Sequence, residues 1–529
     1  MELLRDKPLV FSIPAGVSFA ETLARALLRQ VDQDPLKLAE MTVLLPNRRA
    51  CRTLQEAFLR QAIRPDRSAA SLLPRLMPIG DLDAEDLTVL GGPILGEAAD
   101  IPPAIGELKR RMLLARLIMA ARKQTDMRRG GTRAAAIRLD QAAQLAAELA
   151  RLLDQVETER KDLSALEGLV PQDFAEHWQL TINFLDILRR AWPDILAEEG
   201  AIDPADRRNR LLDLQRAVWE AMPPATPVIA AGSTGSIPAA ADLMATIARL
   251  PQGAIYLPGL DRAPGEADWQ AIEADSSHPQ YGLAQLLKRF QLKRDDVVDV
   301  LNPLPRYGGG LGRGKPEHGR TESSLASPTP ALPQFGGGDI PQVRNEIVSA
   351  ALLPAERTHG WKQRAAKLEP LLALEAMSGV ERIDCQSERE EAQVVALALR
   401  RFIAEQDQGI AALVTPDRRL ARRVAGELKR WRIEIDDSAG QPLSQTAPGA
   451  YLLALCDAAA NDWAPIPLLA LPKHPLAAAG RRLGSLRRSA RKLDRKLLRG
   501  PRPAPGWEGL RQALQARDEF SALTDVDEE

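Results

Sequence analysis

Cysteine is scarce in this chain of 529 residues. Cys51, Cys385 and Cys456 are all it has, and they lie far apart. That spacing excludes a disulfide-stapled scaffold and a zinc ribbon, and a reducing, cytoplasmic setting is the expectation. The five histidines, His177, His278, His318, His359 and His474, are equally scattered, and no His-x-His, His-Glu-x-x-His or Cys-x-x-Cys occurs. A metal site therefore has no support in the sequence. Aromatics make up 4% of the chain, less than a protein that grips single strands mainly by stacking usually carries. No run of eighteen apolar residues exists, so no membrane span is expected. The first seven residues carry Glu2 and Asp6 where a signal peptide needs positive charge, and no cleavage site follows. Charge of one sign is lacking too: 70 Lys and Arg face 71 Asp and Glu, a formal net charge of −1. A wholly basic nucleic-acid coat and an acidic polyanion mimic are both excluded. Any nucleic-acid contact has to come from local basic patches.

What is present is length enough for about three to four domains. Residues 8–13 and 41–45 read as short buried strands, each followed by a turn and a helix (Phe19 to about Gln30, and about Ala50 to Ala62). Strand–turn–helix twice in succession predicts a parallel sheet. From 103 to 220 the pattern turns helical. Leu145, Leu149, Leu152 and Val156 recur at helical spacing, and Trp178, Ile182, Leu185 and Trp192 mark a second amphipathic face. Strand signals return at Val228–Ala230 and Ala254–Leu257 around a helix over 239–250, so the first α/β unit resumes after a helical insertion. Residues 303–340 are dense in Gly, Pro, Ser and Arg. They hold a near-repeat, LPRYGGG at 304–310 against LPQFGGG at 332–338. That composition predicts disorder, as a linker or a repetitive element translated in frame.

A helix is expected over 344–352. A second α/β unit follows, with strands at Val380–Ile383, Ala411–Val414 and Ile433–Ile435 and helices at Ser387–Ile403 and Arg418–Trp431. Ser387 and Glu390 are placed for a capping box. Between Lys473 and Arg502 stand eleven Lys or Arg and one acid, Asp494, with Leu483, Leu486, Leu493 and Leu497 interleaved. This is either a phosphate-binding run or the solvated face of a packed helix. From Pro503 onward seven acids face two arginines.

Several strand ends hold residues with chemical meaning. After the first strand comes Pro14-Ala15-Gly16-Val17-Ser18-Phe19-Ala20, where a phosphate-binding P-loop would sit. Such a loop needs a Lys for the β/γ-phosphates and a Ser or Thr for magnesium. Phe19 stands at the Lys position and Ala20 at the hydroxyl position, so Gly16, Ser18, Phe19 and Ala20 read as a degenerate Walker A or a plain strand-to-helix turn. The second strand ends in Pro46-Asn47-Arg48-Arg49. Asn47, Arg48, Arg49 and Arg52 then lie at a helix N-terminus at the carboxyl end of a parallel strand, where open α/β sheets place ligands. A phosphate site and a solvated helix start are both compatible with this pattern. Ala231 and Gly232 stand at a strand end where a nucleotide hydrolase would carry an acidic pair. Asp261 is a lone acid, read as a turn residue. Thr415-Pro416-Asp417-Arg418-Arg419 repeats the strand–turn–basic-helix pattern. Asp417 is a fair N-cap there, and Arg418 and Arg419 are candidates for backbone phosphates.

Taken in order, the segments Phe11–Gly16, Leu44–Ala50, Val228–Pro238, Leu257–Asp261, His278–Leu283, Ser387–Ala392 and Thr415–Arg419 resemble the N-terminal half of the AddB family, in its alphaproteobacterial form. AddB is a subunit of the AddAB helicase–nuclease. The likeness spans most of 8–302 and 341–505. It implies a relative of UvrD-type superfamily 1 helicases that has lost its ATPase site. Residues 44–52 would then match the motif that holds single-stranded DNA, and Ala231-Gly232 the lost acidic pair. It also implies an AddA-type motor subunit as partner. The family's C-terminal nuclease domain, with magnesium and a four-cysteine iron–sulfur cluster, has no counterpart here, so no cofactor is expected in this chain.

The expected architecture is α/β: two RecA-like (P-loop NTPase-type) parallel-sheet domains with a large helical insertion and a helical C-terminal region. Domain 1 takes 1–100 and 217–302 around the insertion at 101–216. The 303–340 insert separates it from domain 2 at 341–470, and 471–529 forms a basic helical segment and an acidic tail. The expected function is DNA double-strand break repair, as a truncated, helicase-like subunit that binds DNA, single-stranded in this reading, and docks the motor, in the cytoplasm and at the nucleoid when bound to DNA. No catalytic residue and no metal ligand is assigned. The alternatives are a pseudogene-like remnant and a protein-binding scaffold with no DNA activity.

Overall fold

The computed structural model describes residues 4–32, 34–62, 72–79, 101–128, 138–163, 185, 189–300, 340–366, 370–405, 410–478, 480, 483–498 and 502–515. The chain divides into two compact units, Met1–Glu381 and Arg382–Glu529. It is an α/β protein, mostly helical, with one six-stranded parallel sheet among the described residues.

That sheet belongs to the first unit. Its strands are β1 (Val10–Ile13), β2 (Thr42–Leu45), β3 (Arg75–Pro78), β4 (Val228–Ala231), β5 (Gly253–Pro258) and β6 (Val298–Asp299), in the order β3-β2-β4-β5-β1-β6. Every pairing is parallel; Phe11 lies opposite Tyr256 on one side and Val298 on the other. The inner strands are short apolar runs because both faces are covered. Alternate side chains feed two cores. Val10, Leu44, Val228, Ala230, Ile255 and Leu257 face one way, against α6 (Pro204–Ala221), α7 (Pro238–Arg249), α8 (Glu266–Ala274) and α9 (Tyr281–Phe290). Phe11, Ile13, Val43, Leu45, Ile229, Ala231 and Tyr256 face the other way, against α1 (Phe19–Gln30) and α3 (Arg48–Ala62). A short α2 (Pro35–Ala39) leads into β2. The chain steps one way from β1 to β2 to β3, then back through β4 and β5 to β6. In open α/β sheets, such a reversal marks the carboxyl strand ends where ligands bind.

Strands β1, β2, β4 and β5 stand where the apolar runs predicted them. Strands β3 and β6 have no counterpart in the sequence reading. Each is an edge strand, and each is short or carries an exposed cation (Arg75), so neither shows an apolar run.

The helical insertion is built on α4 (Glu107–Arg128), α5 (Leu139–Thr158) and a helical stretch over 189–198. Its two ends are joined: Ile105 N–H donates to Ile202 O at 2.9 Å, and Ile202 N–H to Pro103 O at 3.1 Å. The predicted face of α5 is shifted. Leu149 is buried, but Leu145 is half exposed, and Ala142, Ala146, Ala150 and Leu153 make the packed stripe. Small alanines let α4 and α5 approach closely, so the seam follows them rather than the leucines. Leu185 and Trp192 are buried as expected, whereas Trp178 and Ile182 lie outside the described residues.

Ile340 opens α10 (Ile340–Ala351); the rest of the predicted 303–340 insert lies outside the described residues. The stretch up to Glu381 groups with the first unit. Buried Asp268 on α8 ties it there, accepting hydrogen bonds from Arg357 Nε at 2.8 Å and from Arg364. Burial alone would raise the Asp268 carboxyl, but the hydrogen bonds and charges of the two arginines outweigh it and hold the group below the usual carboxylate range.

The second unit is helical: α11 (Glu388–Glu405), α12 (Arg418–Arg430), α13 (Ala447–Ala460), α14 (Pro465–Lys473), α15 (Leu483–Leu493), a π-helical turn (Asp494–Leu498) and α16 (Gly506–Gln515). Helix α11 starts in a capping arrangement. Glu390 N–H donates to Ser387 Oγ, and the Glu390 carboxylate reaches back to Gln386 N–H rather than to that of Ser387. The strands expected at 380–383, 411–414 and 433–435 are absent. These segments run between helices without a ladder, and Val414 is 92% exposed. Their apolar side chains satisfied the local pattern of a strand, but a strand exists only with a neighbour to bond, and none of the described residues supplies one.

Candidate nucleic-acid interface

The β1–α1 loop occupies the carboxyl end of the sheet. Gly16 takes a left-handed backbone (φ +88°) that suits glycine. Ser18 caps α1, its hydroxyl accepting from Glu21 N–H at 3.5 Å. Phe19 is then the first helical residue and Ala20 the second, so the side chain that would clamp a phosphate is a half-buried ring. That ring lies against the end of β4: a Cβ built on Gly232 would meet Phe19 Cε1 at 3.2 Å and Pro46 Cδ at 3.7 Å. Ala231 is fully buried in the core beneath α1 and α3. The residues present thus do not fit a nucleotide's phosphates and magnesium. Phenylalanine offers no charge, Ala20 no hydroxyl, and Ala231-Gly232 no carboxylate.

Beside this plugged position stands the β2–α3 corner. Asn47 is the N-cap of α3, its side-chain oxygen accepting from Ala50 N–H at 2.9 Å. Leu54, Ala57 and Phe58 anchor the helix in the core, at about 1.5–3 kcal/mol for a large apolar side chain fully buried. This face leaves Arg48, Arg49 and Arg52 on the exposed side of the first turn and a half. The sequence reading placed these four residues together, and the structure does so too, at the carboxyl edge of the sheet. The helix is held in place from α1, where Glu21 accepts from Arg60 at 2.6 Å and from Gln61 at 2.9 Å. A positive helix end with three guanidinium groups on it can hold an anion.

The β5 exit loop is organised by a residue the sequence reading gave no role. Gln280 donates from Nε2 to Gly259 O at 2.9 Å and accepts through Oε1 from Asp261 N–H at 3.2 Å. One amide thus fixes both sides of the turn that passes Ala15 of the β1 loop, the residue nearest to a Cβ built on Gly259. Only its place in the His278–Leu283 segment marked it in the sequence. Neighbouring His278 accepts from Gln280 N–H at 3.1 Å, and burial lowers its basicity despite the nearby Asp275 and Asp261 carboxylates. Asp261 forms the turn expected of it, accepting from Ala263 N–H at 2.9 Å.

In the second unit, Asp417 caps α12 by accepting from Arg419 N–H at 2.7 Å. That hydrogen bond is the first cause holding its carboxyl below the usual range. Arg418 and Arg419 follow, but they differ in availability. The Arg418 guanidinium is held by both oxygens of Asp437, at 2.9 and 2.5 Å, and lies 3.3 Å from Gly440 O. Arg419 is 69% exposed, with Asp417 3.8 Å away. In the basic run, Leu497 is buried and Leu493 packs beside it against α16, while Lys473 pairs with Asp494 at 3.3 Å. This is the packed helix with a solvated cationic face. Among the described residues, no group of three or more His, Cys, Asp or Glu stands together as a metal site would need, and no helix is long and apolar enough to cross a membrane. Compared with known proteins, the chain matches no family model and no curated sequence.

Proposed function

We propose that this chain is the inactivated helicase portion of an AddB-like DNA double-strand break repair protein. In this reading it binds a DNA strand without turning over nucleotide and docks an AddA-type motor subunit, in the cytoplasm and at the nucleoid. The observation that carries the reading is Phe19. It stands where the phosphate-clamping lysine of a P-loop would stand and packs at the end of β4, directly beside a basic helix start. The nucleotide position is filled while the strand-holding position keeps its cations.

The strand order supports a RecA-like first domain, because β1, the strand a P-loop follows, lies inside the sheet between β5 and β6. The side-by-side packing of α11 and α12 supports a second RecA-like domain. Asn47, Arg48, Arg49, Arg52 and Arg419 are the assigned backbone-phosphate contacts.

One observation favours the other reading, a scaffold that binds only protein: Ile410, Val414, Leu452 and Leu453 of the second unit are all more than half exposed. Binding of the purified chain to a labelled single-stranded oligonucleotide, with no nucleotide added, separates the two. Saturable binding is expected of the AddB-like protein. Capture of a motor subunit with no binding to DNA would leave the scaffold.

A further inference from the structure

The groove between α11 and α12 opens into a cavity of about 370 Å³, lined by Arg389 and Ala392 of α11 and by Arg423, Gly426 and Glu427 of α12. The helices meet through buried Ala392, Ala396, Val424 and Leu428. Gly426 sits in the middle of α12, where glycine weakens a helix. No crowding demands it: a Cβ there would meet nothing within 4 Å. What it leaves is open space between two guanidinium-bearing positions.

The lining carries two arginines against one glutamate, and Glu388, Glu390 and Glu391 flank Arg389 on the first turn of α11. Arg389 is exposed and has no carboxylate partner among the described residues. Arg423 touches Glu388 in a pair whose members are 46% and 56% exposed, an arrangement that exchanges at little cost. Glu427, the one acid in the lining, is engaged by Arg430 from outside it at 2.7 Å. Helix α12 carries Arg418, Arg419, Arg422, Arg423, Lys429 and Arg430 against that single acid. No aromatic side chain lines the cavity, so a base has nothing to stack on, whereas a phosphate finds two guanidinium forks.

We infer that the α11–α12 groove is a phosphate seat for the backbone of a single-stranded nucleic acid, with Arg389 and Arg423 as its ligands and Gly426 as the opening that admits the phosphate. The inference rests on the DNA-binding reading above and gives the second unit a contact that Arg418, held by Asp437, does not provide.

The test is fluorescence anisotropy of the full chain with labelled oligo-dT twenty nucleotides long, over a series of KCl concentrations. Arg389→Ala removes a ligand from an exposed position, and Gly426→Asp sets a carboxylate in the opening. Arg401→Ala loses the same charge farther along α11, next to Glu405 and outside the groove. Arg389→Ala and Gly426→Asp are each expected to weaken binding roughly tenfold, the worth of one charge-assisted contact. The logarithmic salt slope falls by about 0.7 with Arg389→Ala, and Arg401→Ala binds within about twofold of the parent chain. Parental affinity in Arg389→Ala overturns the seat, whether or not Gly426→Asp folds. If Arg48→Ala/Arg49→Ala is weakened in that same experiment, the DNA-binding reading stands without the seat. An unmodified chain that does not bind the oligonucleotide overturns both.

Discussion

Gly232 and Asp268 are two residues whose surroundings decide what replacing them does. Gly232 holds φ +73°, and a Cβ there would press on the Phe19 ring at 3.2 Å. Gly232→Ala is expected to destabilise the first unit by about 1–3 kcal/mol, the cost of a non-glycine residue in that region, read as a lower midpoint in urea. Asp268 is buried between Arg357 and Arg364. Asp268→Ala leaves both cations without their acceptor and is expected to cost about 2 kcal/mol, because each arginine can still reach water. The folded carboxyl titrates below its unfolded value. Its contribution is therefore complete above about pH 4 and is lost as the pH falls through the lower folded value. Urea midpoints of the parent and Asp268→Asn should accordingly converge in acid; a constant gap down to pH 2 contradicts the pairing. At this scale the sequence was legible where the cause was local. Ser387 and Asp417 cap the helices that follow them and announce it by type. The capture of Arg418 by Asp437, nineteen positions on, and the grip of Gln280 on the β5 loop depend on how the chain turns back. No local spacing encodes that.

Helices and strands divide along the same line. The inner strands β1, β2, β4 and β5 were readable because burial on both faces forces continuous apolar runs. Edge strands β3 and β6 are free of that demand. The segments at 380–383, 411–414 and 433–435 carry the opposite lesson, since short runs with apolar residues there satisfied a strand pattern with no partner among the described residues to bond. In α5 the leucines drew the predicted face, while the seam follows Ala142, Ala146 and Ala150. The base of the insertion also has its own acid–base signature. Asp203, the N-cap residue of α6, sits 2.7 Å from Arg110 Nε in a charge contact without hydrogen-bond alignment, and it accepts from Trp192 Nε1 at 2.8 Å. Burial, the largest influence, still raises it, and burial raises neighbouring Glu157 as well. A carboxyl raised in the folded state stabilises below its unfolded value, and that stability is lost as the pH rises through the folded one. Glu157→Gln is therefore expected to stabilise the insertion at neutral pH by less than about 1 kcal/mol, because the site is partly solvated. The gain should vanish near pH 4, and equal urea midpoints at both pH values would contradict it.

Across the whole molecule the two units differ in how much they bury. Around the sheet, two large clusters pack Trp219, Phe290, Phe11, Tyr256 and Phe58. In the second unit the clusters are small, centred on Val424 with Leu428 and on Leu497 with Leu510. Local stability follows buried apolar contact, so amides of β1, β4 and β5 should exchange slowest and those of α12 and α13 sooner. Uniform protection across both units in hydrogen exchange would refute this contrast. The same asymmetry places the larger core under the β2–α3 corner, the seat of the proposed function: that a sheet with Phe19 at the place of a nucleotide clamp holds a nucleic-acid strand through Arg48, Arg49 and Arg52. The most direct measurement is the salt dependence of oligo-dT binding by the full chain, without nucleotide, against the Arg48→Ala/Arg49→Ala/Arg52→Ala variant. Weaker binding and a logarithmic salt slope smaller by about 0.7 for each lost phosphate contact are expected. An unchanged affinity and slope would contradict the proposed function.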